Sequence, residues 1–216
     1  MAVSQANLRY EVGVKMSKIG IMGGTFNPIH LAHLIMAEHA YEQFSLDKIL
    51  FMPSKNPPHK PQIDIISDLY RSRMVQLAIE DNPHFEFSSL EIDREGTTYT
   101  FETLEDLSEK YPDNEYYFIL GADSLFTIEY WRNPGRIFEL SHVIAAGRDH
   151  LSDEEMIKQI AYISTKFHAN IHLLKTPNMD ISSQMLREKI RLGQSIRYYV
   201  PKEVEEYILE YKLYKE

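Results

Sequence analysis

Short apolar runs alternate with helix-periodic segments along this chain, and the alternation limits its fold more than any one motif does. The runs lie at Lys18–Met22, Lys48–Met52, Phe85–Leu90, Tyr116–Leu120, His142–Ala145 and Ile171–Leu174. They are strand-sized and often β-branched, as strands covered on both faces should be. Helical periodicity marks Leu31–Phe44, Tyr70–Glu80, Thr100–Lys110, Asp153–Phe167, Ser183–Leu192 and Pro201–Tyr211. In the first of these, Leu31, Leu34, Ile35, Ala37 and Tyr41 lie near one face. Ser152–Glu155 puts acids in a first turn, and Pro201 suits a first helical position. The pattern predicts an α/β fold: a doubly wound parallel sheet with helices on both faces and a C-terminal helical segment. Ligands of such sheets bind beyond the carboxyl ends of the strands. The chemistry should therefore sit in the loops that follow each run.

The remaining limits are few. A chain of 216 residues favours one domain, read as residues 18–216 after an extension over residues 1–17. The absence of cysteine excludes disulfides and thiolate metal sites and permits a cytoplasmic location. No apolar run approaches the length of a membrane span, and residues 1–17 lack the apolar stretch of a secretory signal. A net charge of −9 argues against broad binding to duplex nucleic acid. It still permits an anionic small molecule, which a few local donors can hold on an acidic protein.

The loop after the first run reads GGTFNPIHLAH, Gly23–His33. Gly23 and Gly24 allow a sharp turn and let a phosphate approach backbone N–H groups closely. The next helix begins near Leu31, and its N-terminus, which attracts anions, faces the same space. Thr25 adds a hydroxyl and Pro28 stiffens the loop. His30 and His33, three apart, share a face of the first helical turn. Three readings fit the pair: polar residues satisfied at a helix end, a zinc site, or two imidazoles donating to phosphate oxygens. Zinc would need a third ligand, and the chain has neither HExxH nor cysteine. The phosphate reading uses the glycines, the helix end and both histidines together.

Four other segments carry candidate chemistry. PSKNPPHK, Pro53–Lys60, is rigid and locally basic, either a solvated turn or an anion-facing loop. REGTTYTFET, Arg94–Thr103, reads as a loop and a helix start with threonine caps. FILGADS, Phe118–Ser124, runs a strand into Gly121, which permits close approach, and Asp123. Asp123 is either a cap for the next helix or an acceptor for ribose hydroxyls or a hydrated cation. DISSQMLREKI, Asp180–Ile190, offers Ser182 or Ser183 as an N-cap with Arg187 one turn inside, so hydroxyls, helix N–H groups and a guanidinium could meet one anion. Trp131, the only tryptophan, lies in the polar stretch EYWRNPGR and is either packing or ligand-facing. Tyr198, Val200, Val204, Tyr207 and Ile208 read as apolar packing near the end of the sequence.

Together these segments resemble a known family. GGTFNPIHLAH resembles the signature of the nucleotidyltransferases with an H-x-G-H-like element, and within them that of the bacterial nicotinate-nucleotide adenylyltransferases. PPHK, GTTYTFET, GAD and ISSQMLR resemble further motifs of the same family, so the likeness runs from about Lys18 onward. Ala32 stands where the family usually has glycine, Asn27 where aspartate is common, and Gln184 where threonine is usual. Arg148, in AAGRDH, stands near a family Arg-Pro-Gly turn. A left-handed backbone at Ala32 would be strained.

The resemblance implies a Rossmann-like fold and adenylyl transfer from ATP to nicotinate mononucleotide. It implies that His30, His33 and Arg187 hold the triphosphate as catalytic residues. ATP would also meet Gly23, Gly24, Thr25, Phe26, Gly121, Asp123, Ser182 and Ser183. The mononucleotide would meet Thr25, Lys60, with His59 beside it, Thr98, Thr100 and Trp131, the last stacking on the pyridine ring. Mg²⁺ would travel with ATP without dedicated protein ligands, and a homo-oligomer is compatible with the family. The alternatives are a nicotinamide mononucleotide or phosphopantetheine adenylyltransferase of the same fold, or a nucleotide-binding regulator without turnover.

Overall fold

The computed structural model describes residues 16–55, 65–147 and 152–215. Six strands form one parallel sheet: β1 (Lys18–Gly24), β2 (Lys48–Pro53), β3 (Phe85–Phe87), β4 (Glu115–Gly121), β5 (His142–Ala146) and β6 (Ile171–Leu174). Their order is β3-β2-β1-β4-β5-β6. The chain winds outward from β1 in one direction and then, from β4, in the other. The reversal opens a crevice where β1 and β4 end side by side.

Nine helices and one 3₁₀ turn accompany the sheet among the described residues. They are α1 (Leu31–Phe44), α2 (Asp68–Ile79), α3 (Leu90–Asp93), α4 (Thr100–Lys110), α5 (Ala122–Leu125), α6 (Pro134–Leu140), α7 (Asp153–Phe167), α8 (Ser183–Arg191) and α9 (Lys202–Glu210), with the 3₁₀ turn at Ile128–Tyr130. Alternation along the strands divides the core. Ile19 and Ile21 of β1 pack with Leu104, Leu125, Ile137 and Ile163 under α4 to α7. Met22, on the other face, packs with Ala37, Met74, Leu186 and Ile208 under α1, α2, α8 and α9. The sheet is thus doubly wound with helices on both faces, as the alternation predicts. No helix among the described residues is long and apolar enough to cross a membrane.

Differences from the sequence reading are local and have local causes. The strand expected to reach Leu90 stops at Phe87, because the Ser88 hydroxyl accepts from the Leu90 N–H and Ser89 donates to Asp93, turning the chain into α3. The helix expected from Tyr70 begins at Asp68, since the Ser67 hydroxyl accepts from the Leu69 N–H. Pro201 is the N-cap of α9, not its first helical residue. Ser152 and Glu155 form a reciprocal capping box at α7. Val200, Val204 and Ile208 are buried as expected, but Tyr198 is 84% exposed and contributes no packing.

Candidate active site

A cavity of about 620 Å³ opens at the carboxyl ends of β1 and β4. Gly23, Gly24 and Thr25 line one side of it, and Thr98, Tyr99, Thr100 and Thr103, from the start of α4, line another. Asp123 of α5 and Trp131, just past the 3₁₀ turn, complete the wall. The Trp131 ring meets Phe118 edge-on, with centroids 6.2 Å apart. Arg132 donates from Nη1 to the Tyr99 hydroxyl at 3.2 Å, and its guanidinium lies over the Tyr99 ring. The cavity therefore combines flat rings with hydroxyls, a pairing suited to an aromatic ring bearing polar substituents.

Gly23 and Gly24 are the last residues of β1, paired with Met52 and Pro53, so the loop begins two residues later than the sequence suggested. Neither glycine makes the sharp turn. The left-handed residue is Phe26, at φ 47°. Its ring folds back into the core, where a Cβ on Gly24 would lie 3.1 Å from it. Gly24 thus makes room for a ring. Phe26 also meets His33 at right angles, with centroids 5.1 Å apart.

His30 is the buried N-cap of α1, and its ring stacks on His33 at 3.7 Å. The His30 backbone N–H donates to His33 Nδ1 at 3.2 Å. That bond needs a lone pair on Nδ1, so in the neutral ring the proton sits on Nε2, the donor nitrogen. Ala32 is an ordinary helical residue of α1 without positive φ, so the strain expected of alanine there does not arise. The Leu31 N–H, at the start of the same helix, is bonded to the Tyr199 carbonyl at 2.8 Å.

The second segment expected to bind phosphate packs directly on this loop. Ser182 caps α8 through the Met185 N–H, Ser183 donates to the Pro28 carbonyl at 2.8 Å, and Arg187 donates from Nη1 to the Asn27 carbonyl at 3.0 Å. The Arg187 Nε is buried without a hydrogen-bond partner. Gln184 is exposed, away from these contacts. Behind the loop, the fully buried Arg71 donates to the carbonyls of Thr25 (2.6 Å) and Ile66 (3.2 Å) and pairs with Asp68.

Of the expected residues, Gly23, Gly24, Thr25, Thr98, Thr100, Asp123 and Trp131 line the cavity, while His30, His33, Ser183 and Arg187 gather around the adjoining loop. Gly121 ends β4 and is the N-cap residue of α5, so Asp123 does not cap that helix. The threonine caps expected at α4 do not form: its N-cap residue is Tyr99, without a side-chain cap. Lys60, His59 and Arg148 lie outside the described residues.

Several residues escaped the sequence reading. Glu91, half-buried in the cavity wall, accepts from the Thr103 hydroxyl at 2.8 Å, and Arg94 donates to that same hydroxyl at 3.0 Å. Desolvation raises the Glu91 pKa above the ordinary carboxylate range, opposed by the Thr103 bond and the Arg94 charge. The Thr98 hydroxyl also faces this carboxyl, but falls short of hydrogen-bond geometry. The available signal was the acid three residues before Arg94, at the edge of the REGTTYT segment. Tyr99 and Arg132 were each one residue from a position singled out. Arg71 carries no motif of its own, nor does Tyr214, whose hydroxyl donates to Asn27 Oδ1.

Residues 21–189 match the cytidylyltransferase-like family model, which sets the class as nucleotidyltransferase. A protein of Lachnoclostridium phytofermentans described as a probable nicotinate-nucleotide adenylyltransferase is 51% identical over 199 residues, covering 92% of this chain and 100% of that one. A Clostridium botulinum protein of the same description is 44% identical over 201 residues, covering 93% and 100%. The chain belongs to the nicotinate-nucleotide adenylyltransferase family. The Plasmodium falciparum nicotinic acid mononucleotide adenylyltransferase complexed with NaAD matches with a TM-score of 0.76 over 92% of this chain and 97% of its own. At 23% identity that likeness bears on the fold.

Proposed function

We propose that this protein transfers the adenylyl group of ATP to nicotinate mononucleotide, giving nicotinate adenine dinucleotide and pyrophosphate in cytoplasmic NAD biosynthesis. The observation that carries the reading is the meeting of His30, His33, Ser183 and Arg187 around one loop beside a ring-walled cavity. A phosphate oxygen of the mononucleotide attacks the α-phosphorus of ATP. The bond from that phosphorus to the bridging oxygen breaks, and its electron pair leaves with pyrophosphate. The nucleophile is already anionic, so no general base is required. Catalysis then rests on alignment and on stabilising the charge that moves to the leaving group.

His33 Nε2–H and His30 serve as donors to the triphosphate, joined by Arg187, whose buried Nε lacks a protein partner. Gly23, Gly24 and Thr25 line the path between the substrates, and Phe26 shapes it from the core. In this reading Gly121, Asp123, Ser182 and Ser183 serve ATP. Thr98, Thr100 and Trp131 receive the pyridine nucleotide, with Lys60 toward its phosphate. Mg²⁺ accompanies ATP and supplies charge neutralisation. Phosphate and water oxygens are its natural ligands in this reading. Residues 18–216 act as one nucleotidyltransferase unit in this reading.

The test compares kcat/KM for nicotinate mononucleotide, nicotinamide mononucleotide and phosphopantetheine with Mg-ATP, following pyrophosphate release. Preference for the nicotinate compound is expected. Faster turnover of either competitor, or ATP binding without turnover of any of the three, overturns the assignment.

A further inference from the structure

We propose that Tyr214 is a positioning residue for the transfer reaction, acting through Asn27 on the loop that meets the triphosphate. The inference rests on the reading of that loop given above. The Tyr214 hydroxyl donates to Asn27 Oδ1 at 3.0 Å, across 187 positions of sequence. Both side chains are buried. The same oxygen receives the Ile66 N–H at 3.4 Å, and the Asn27 carbonyl receives Arg187. Asn27 is therefore a junction between the segment after α9, the segment before α2, and α8.

Two further observations separate this contact from ordinary packing. Lys212 and Tyr214 both adopt left-handed backbone, at φ 53° and 65°. Non-glycine residues hold that conformation at a cost, which surrounding contacts must offset. Burial also raises the pKa of the Tyr214 phenol, against the lowering influence of the nearby Arg187 and Arg71 charges. The phenol stays neutral and can donate throughout the working pH range. A neutral donor at this point fixes the Asn27 side chain without adding charge beside the phosphates. The loop then reaches the reaction already set, so little rearrangement is needed as charge develops.

Tyr214→Phe keeps the ring and deletes only the donor. It should lower kcat roughly fivefold to tenfold, the scale of one hydrogen bond, with KM for the mononucleotide little changed. The cycle with Asn27 separates positioning from stability. Tyr214→Phe should cost nothing further in an Asn27→Ala background, and should still cost activity in Asn27→Asp, which keeps an acceptor. Amide hydrogen exchange over residues 24–31, measured without substrate, should quicken about fivefold in Tyr214→Phe. Unchanged exchange in that loop overturns the proposal whatever the activity. So does an equal loss from Tyr214→Phe in the wild-type and Asn27→Ala backgrounds. Absence of wild-type turnover counts against the adenylyl-transfer reading alone, because the exchange measurement still decides the role of Tyr214.

Discussion

The two sides of the crevice are built on opposite plans. On one side, residues 25–28 are fastened at successive polar atoms by Arg71 of α2, Arg187 and Ser183 of α8, and Tyr214 beyond α9. On the other, Tyr99, Trp131 and Arg132 present large flat groups, and the neighbouring Tyr130 is 77% exposed. Under the proposed adenylyl transfer, the contrast matches what each side would hold. Donors facing a developing charge are most effective when they need not move. A flat ring can be received by surfaces that shift, because stacking tolerates small changes of angle and offset.

That contrast can be broken most sharply at His33. His33→Ala should lower kcat by about 10²–10³-fold, the loss expected for one donor to the transition state. Unchanged kcat in a folded variant would remove charge handling from the fastened side. Trp131→Ala tests the other side and should raise KM for the mononucleotide roughly tenfold, with a smaller change in kcat. A rise in KM for ATP instead would exchange the two sides. The smallest effect belongs to Glu91, whose raised pKa means that the folded protein binds this proton more tightly than the unfolded chain. Its contribution to stability is full below the unfolded pKa and is lost as pH climbs through the folded one. Glu91→Gln should therefore gain on wild type as pH rises from the unfolded carboxylate range toward neutrality, read from urea midpoints. A gap that stays flat with pH would mean that the Arg94–Thr103–Glu91 chain already cancels the cost of burying the charge.

The sheet and its longest helices were legible because each depends on a pattern repeated over many residues. Ile19, Ile21, Phe118 and Leu120 sit in runs whose apolar character survives an error of one or two positions. The end of β3 was less legible, since two serine hydroxyls decide it and no periodicity records them. Helix α6 was missed because Pro134 and Gly135 read as loop punctuation. In the structure Pro134 opens the helix after Asn133 turns left-handed. The histidines, Ser183 and Arg187 were legible from resemblance and chemistry together. Arg71, Glu91 and Tyr214 were not: their importance lies in partners that the sequence does not place beside them. At Gly24 the turn expected from its sequence does not form, and the glycine makes room for the Phe26 ring.

The order of synthesis gives the junction at Asn27 a further meaning. Its carbonyl waits for a side chain 160 positions later, and its amide oxygen for one 187 positions later. An emerging chain can begin pairing β1 with β2 after about a quarter of its length has been made. The loop at the tip of β1 cannot be fastened until α8 and the segment past α9 have arrived. Contacts this distant in sequence form late because they close the largest loops. Fastening of this loop is thus a closing event of folding, and a polypeptide released early would carry much of the sheet without a finished loop.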